Sequence, residues 1–115
     1  MASDCIFCKI VTRDIPSDIV YENDEVLAFR DINAQAPTHV QIIPKKHVAK
    51  IVDFDAASDT PWLVALFDAA KDIASSEGLD KGFRLVFNNG ALSGQSVLHV
   101  HMHILGGRQL GWPPG

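Results

Sequence analysis

Apolar residues recur along this chain with two periods. Between Ile19 and Asp31 the apolar set is Val20, Val26, Ala28 and Phe29, and Asn23-Asp24 interrupts it, which predicts a β-hairpin turned at those two residues. His39 to Pro44 reads as a third strand, with Val40, Ile42 and Ile43 apolar and Pro44, which has no N–H to give a ladder, closing it. The period then lengthens. Trp62, Leu63, Leu66, Phe67, Ala70, Ile73 and Ala74 recur at three- and four-residue spacing, predicting a helix over Thr60–Glu77. Thr60 is placed to cap it, Pro61 to occupy its first position and Gly78 to end it. Two further strands, Phe83–Asn88 and Leu98–Leu105, are separated by the Gly/Ser loop from Asn89 to Ser96. Strands joined as hairpins around one main helix give an antiparallel α+β domain of about five strands; the connections are too short for a Rossmann series.

A chain of 115 residues makes one domain, expected over 1–115. So short a domain buries a limited fraction of its surface, and a metal or a second subunit is an expected staple. The net charge of −4, with no basic cluster beyond Lys45-Lys46, argues against a nucleic-acid or anionic-membrane binder. No apolar run approaches the ~18 residues of a membrane span, and Met1-Ala2-Ser3-Asp4 does not open a secretory signal. The two cysteines, Cys5 and Cys8, are too few for a secreted disulfide scaffold. The expected compartment is the cytosol, with the nucleus added in a eukaryote.

The sharpest chemistry lies in His99-Val100-His101-Met102-His103-Ile104-Leu105. Side chains alternate faces on a strand, so Val100, Met102 and Ile104 point to a core and the three histidines point the other way. Two residues of rise set neighbouring imidazoles about 6–7 Å apart, and all three span roughly 13 Å. That is too far for three ligands at ~2.1 Å from one metal. The histidines must divide their labour. A neutral imidazole is a competent nucleophile toward phosphorus. Its flanking histidines, the loop N–H groups of Gly94-Gln95-Ser96 and the Ser96 hydroxyl are candidate donors to phosphate oxygens and to a leaving group. His101, with a histidine on each side, is the best nucleophile.

The segment His99-Val100-His101-Met102-His103-Ile104 resembles the signature of the histidine triad superfamily. Its Hint branch is resembled by Ile6-Phe7-Cys8-Lys9-Ile10, Leu27-Ala28-Phe29-Arg30-Asp31-Ile32, Ala36-Pro37-Thr38-His39 and Ile43-Pro44-Lys45-Lys46-His47. Gly94-Gln95-Ser96-Val97, Gly106-Gly107-Arg108-Gln109 and Trp112-Pro113-Pro114-Gly115 add to the likeness. The resemblance implies a homodimeric purine nucleoside phosphoramidase that releases AMP or GMP from amine conjugates, aminoacyl-adenylates included, with no organic cofactor. It makes His101 the residue that becomes adenylylated. His103 and His39 line the phosphate, and Gly94, Gln95 and Ser96 hold its oxygens with Asn88 and Val97 beside them. Asp31 holds the ribose hydroxyls next to Ile32, and Phe7, Ile10 and Phe29 wall a purine slot. The residues alone leave alternatives: Asp31 as a turn-capping carboxylate, the three apolar residues as ordinary core, Ser96 as a hydroxyl bonded to its own loop.

Cys5-Ile6-Phe7-Cys8 has the gap that lets two thiolates meet one tetrahedral zinc. On the residues alone it is equally a pair of buried thiols, or a redox pair, although no helix start is expected around it. The zinc-bearing relatives that the chain resembles imply Cys5, Cys8, His47 and His99 as ligands of a structural zinc. A dinucleoside polyphosphate hydrolase of the Fhit type is the nearest rival activity, and a non-catalytic nucleotide-binding protein or a pure zinc module are others. Trp112 in the Pro-rich tail is a candidate cross-subunit contact, or else packs on its own subunit. Arg30 and Leu92 depart from the Hint pattern and are candidates to alter leaving-group preference.

Overall fold

The hairpin turned at Asn23 is the first unit of the sheet. Asn23 Oδ1 accepts from the N–H groups of Glu25 and Val26 at 2.9 and 3.0 Å, so the side chain itself closes the turn. The computed structural model describes residues 4–115; Met1, Ala2 and Ser3 of the segment expected to carry no signal lie outside the described residues. It places β1 at Ile19–Glu22, β2 at Val26–Arg30, β3 at Thr38–Pro44, β4 at Phe83–Phe87 and β5 at Met102–Gly106. They form one sheet in the order β1-β2-β3-β5-β4, with every pairing antiparallel. The fold is α+β, five strands and one main helix, as the pattern predicts.

That helix, α2, runs Ala56–Ser76 and so begins four residues before the expected Thr60. Asp55, not Thr60, is its cap: the carboxylate accepts from Ser58 N at 3.2 Å and Ser58 Oγ at 2.7 Å. Thr60 Oγ1 instead bonds back to the Ala56 carbonyl at 2.6 Å. Pro61 therefore sits inside the helix, where its missing N–H strands only the carbonyl of exposed Ala57. Gly78, at φ 71°, ends α2 as expected, and Leu79 N bonds back to the Ala74 carbonyl at 2.8 Å.

Alternation along the strands gives the sheet two apolar faces. One packs on α2 through Val26, Ala28, Val40, Ile42, Val100, Met102 and Ile104. The other buries Leu27, Phe29 and Ile43 under Phe7 and Ile10 of a short helix, α1, at Ile6–Val11. This helix was not foreseen. Its N-cap is Cys5, whose Sγ accepts from Cys8 N at 3.4 Å, so the Cys-x-x-Cys pair does stand at a helix start, contrary to the expectation from sequence. Lys45 and Lys46 are both spent on ion pairs, with Glu22 and with Asp59. No described helix is long and apolar enough to cross a membrane.

The last strand starts later than expected, at Met102 and not at Leu98. Its partner β3 stops at Pro44, and residues 97–99 are bent. The Pro44 carbonyl is taken by the His99 ring at 2.8 Å, while Val100 N turns to the Val48 carbonyl at 2.7 Å. The alternation of faces survives this break: Val100, Met102 and Ile104 lie in the helix-side core, and His99 and His101 pack edge-on to Phe7 on the opposite side.

Candidate active site

Ending the ladder at Met102 leaves the His99 carbonyl to a side chain. His101 Nδ1 lies 2.8 Å from it, and a carbonyl only accepts, so the ring carries its proton on Nδ1 and presents a bare Nε2. Burial lowers the His101 pKa and favours the neutral ring; its hydrogen bond to His99 and the charge of Asp31 act the other way. A buried, neutral, oriented imidazole with a free lone pair is what nucleophilic attack requires.

A second chain of protons runs beside it. Gln35 N–H donates to His39 Nδ1 at 3.0 Å, which puts the His39 proton on Nε2. That nitrogen is 2.9 Å from His103 Nδ1, so His103 accepts there and carries its own proton on Nε2. The His103 and His101 rings are 5.0 Å apart, centre to centre. Asp31 closes the row: its Oδ2 lies 3.4 Å from His39 Nε2 and accepts from Gln41 Nε2 at 2.7 Å. Its Oδ1 accepts from Asn33 N at 2.8 Å, so the turn-capping role is present as well.

The loop contributes less than its composition suggests. The Gly94 and Gln95 N–H groups bond within the turn, to Ala91 and Gly90 carbonyls at 3.0 and 3.2 Å. The Gln95 side chain braces the loop on Gly90 N, the Ala49 carbonyl and the Val97 carbonyl. Ser96 is exposed, and among the described residues its hydroxyl has no hydrogen bond, not even to its own loop. Asn88 is half-buried at the end of β4, and Val97 packs partly against the Phe7 cluster. Phe7, Ile10 and Phe29 are core in this structure, with the Phe7 and Phe29 rings 5.4 Å apart edge to face, whereas Ile32 is fully exposed at 104%. Arg30 points to the helix side and grips Glu77 with two bonds of 2.9 and 3.0 Å, away from the histidines, and Leu92 is fully exposed. A concavity of about 540 Å³ lies elsewhere, lined by residues from 78–84 and 107–110, and no histidine lines it.

His99 belongs to a different cluster. Cys5 Sγ lies 3.3 Å and Cys8 Sγ 3.5 Å from His99 Nδ1, which is 3.2 Å from His47 Nδ1; Cys8 Sγ is 3.2 Å from the same His47 atom. All four donor atoms fall within 4.8 Å of one another. A tetrahedron with arms of ~2.1–2.3 Å has edges of roughly 3.4–3.8 Å, so the set fits one metal ion. The Pro44 carbonyl receives the His99 Nε2–H, which leaves Nδ1 bare toward the cluster, as metal ligation requires. Burial, then the neighbouring Cys5, pushes the Cys8 thiol up to about 11, a state that a bound cation reverses.

Gln41 was missed by the sequence reading, although a polar residue between Val40 and Ile42 on an apolar strand was a signal. Gln35 acts through its backbone, for which no sequence signal exists.

An HIT-domain family model matches residues 12–110. The chain belongs to the HIT-domain family. It is similar over its whole length to an uncharacterized HIT-like protein of Synechococcus elongatus, 50% identical over 115 residues that make up 100% of both chains. A 14 kDa zinc-binding protein of Brassica juncea is 50% identical over 113 residues, covering 97% of this chain and 100% of that protein. The crystal structure of an HIT family hydrolase from Legionella pneumophila superposes with a TM-score of 0.94 at 51% identity, covering 97% of this chain and 100% of that one. An HIT family hydrolase from Clostridium thermocellum gives 0.92 at 42% identity, with 96% of each chain covered. The chain therefore carries the HIT fold.

Proposed function

We propose that this HIT protein is a purine nucleoside phosphoramidase working through a histidine–nucleotide intermediate. The observation that supports it most is the 2.8 Å bond from His101 Nδ1 to the His99 carbonyl, which leaves Nε2 as the attacking atom. In the first step Nε2 bonds to the phosphorus of an AMP or GMP amide and the P–N bond to the amine breaks. The departing nitrogen takes a proton from the site, where Ser96 Oγ and His103 Nε2–H are the donors at hand. In the second step water adds to phosphorus as the P–Nε2 bond breaks, and the proton it loses returns to the group that protonated the amine, so His101 recovers its free ring and the site its starting protonation. His39 serves by fixing the His103 tautomer through the 2.9 Å contact. Asp31 receives the ribose hydroxyls, with Ile32 alongside, and the purine enters against Phe7, Ile10 and Phe29 after those side chains part. Asn88, Gly94, Gln95 and Val97 frame the phosphate.

Cys5, Cys8, His47 and His99 hold a structural zinc in this reading, supported by the two-sulfur, two-nitrogen donor set and by the name of the Brassica relative. When bound, the metal ties the N-terminus to the segment that carries His101, and water activation is not its task. The unit is one domain over 1–115, a homodimer, working in the cytosol. Trp112, 82% exposed in the single chain, is suited to a contact with the partner.

Mass spectrometry of protein quenched during turnover of an adenosine phosphoramidate tests the core of this reading. An AMP adduct mapped to His101 is the expected result; hydrolysis with the adduct elsewhere overturns the assignment. Faster turnover of a diadenosine polyphosphate than of the phosphoramidate overturns the substrate class.

A further inference from the structure

Gln41 sits at the centre of the histidine face, paired in register with Phe29 on one side and His103 on the other. Its carboxamide is held at one end only. Nε2 donates to Asp31 Oδ2 at 2.7 Å, while Oε1 is shut away from solvent and has no donor among the described residues. The two ends cannot be exchanged, because an amide oxygen at that distance from a carboxylate would set acceptor against acceptor.

An ionised carboxylate offers about four lone-pair sites, two on each oxygen. Asn33 N takes one on Asp31 Oδ1 and leaves one open. On Oδ2, Gln41 takes one site; the His39 ring gives its Nε2–H to His103 and bonds nothing here, but with Nε2 only 3.4 Å away it stands in front of the other site. A vicinal diol that places one hydroxyl on each oxygen needs a site on Oδ2. His39 is held in place from elsewhere, by Gln35 N–H and by its 2.9 Å bond to His103. Gln41 has nothing else to hold it, and its orphaned oxygen makes its present position costly.

We propose that Gln41 is a placeholder for the nucleoside sugar: its amide occupies the Asp31 oxygen that a ribose hydroxyl takes, and the two compete. This rests on the reading of Asp31 as the ribose site. Gln41 thereby weakens the hold on the ribonucleotide product and favours its release, and it sets how strongly the site selects a diol.

Calorimetric binding of AMP, 2′-deoxy-AMP and 3′-deoxy-AMP to the intact protein tests this in the wild type, in Gln41→Leu and in Gln41→Met. The second variant keeps the side-chain length without the amide, should leucine disturb the sheet. Both variants bind AMP about tenfold more tightly, the scale of one hydrogen bond to a charged group. For the monodeoxy nucleotide that lacks the hydroxyl bound to Oδ2, the gain disappears. Weaker or unchanged AMP binding in both variants overturns the proposal, and so does an equal gain for all three nucleotides. A folded wild type that binds none of the three removes the nucleotide reading itself, an outcome distinct from either.

Discussion

At the scale of single residues, the site works by deciding where each imidazole proton sits. A ring without the His101 lone pair makes no adduct. His101→Asn is expected to lower kcat by at least ~10³-fold on an adenosine phosphoramidate while AMP still binds, measured by steady-state turnover alongside calorimetry. The second row of histidines makes a separate prediction about pH. Burial, then repulsion from His101 and His39, pushes the His103 pKa down to about 4, and burial also lowers that of His39. In an unfolded chain both rings titrate near ~6.5. Between those values the unfolded chain binds protons that the folded chain refuses. Stability contributed by these rings is thus complete above pH ~6.5 and is lost as the pH falls toward 4. Urea midpoints across that range, with an NMR titration of the His103 ring, check it; a His103 midpoint near 6.5 contradicts it. The tautomers themselves were not legible in the sequence, because they depend on backbone groups of Gln35 and His99 that every residue possesses.

At the scale of elements, what the pattern exposed and what it hid follow from which forces act locally. The hairpin, β3, β4 and α2 were readable because alternation and helical spacing are written in side chains. The start of α2 was misread because two capping residues compete within five positions and both are plausible from sequence. Asp55→Ala is expected to cost about 1 kcal/mol in denaturant unfolding, whereas Thr60→Ala costs less than about 0.5 kcal/mol. The reverse order would restore Thr60 as the cap. Helix α1 escaped notice because its six residues are too few to show a period. It is held in place by tertiary contacts, Phe7 and Ile10 on the sheet and the Cys5–Cys8–His47–His99 cluster at its head. Removing zinc from purified protein with a chelator should therefore lower Tm by on the order of 10 °C, followed by calorimetry with metal analysis. Protein that purifies without zinc and melts identically with or without added metal would argue against the staple.

At the scale of the whole molecule, the five-strand sheet between two unequal apolar layers explains how a short chain builds both a core and a site. The side under α2 supplies the larger core; the side under α1 is thin and carries all five histidines among its loops and strands. Alternation along one strand revealed His103 on that side, the resemblance added Asp31 and His39, and Gln41 stayed hidden, since these residues come from three separate strands or their ends. Subunit association is the property that a single chain leaves to experiment. The intact protein is expected to sediment as a dimer, and a chain ending at Leu110 to shift toward monomer; a tail that packs only on its own subunit leaves the two identical.

The point where β3 stops at Pro44 has a longer reach than its size suggests. Because the ladder is not continued past Met102, the ring of His101 is steered by a main-chain oxygen, and a main-chain oxygen is common to every amino acid. Mutation of surrounding side chains can reshape what enters the cleft while the aim of the attacking atom persists. Such a division lets descendants of one ancestor diversify their substrates without rebuilding their chemistry.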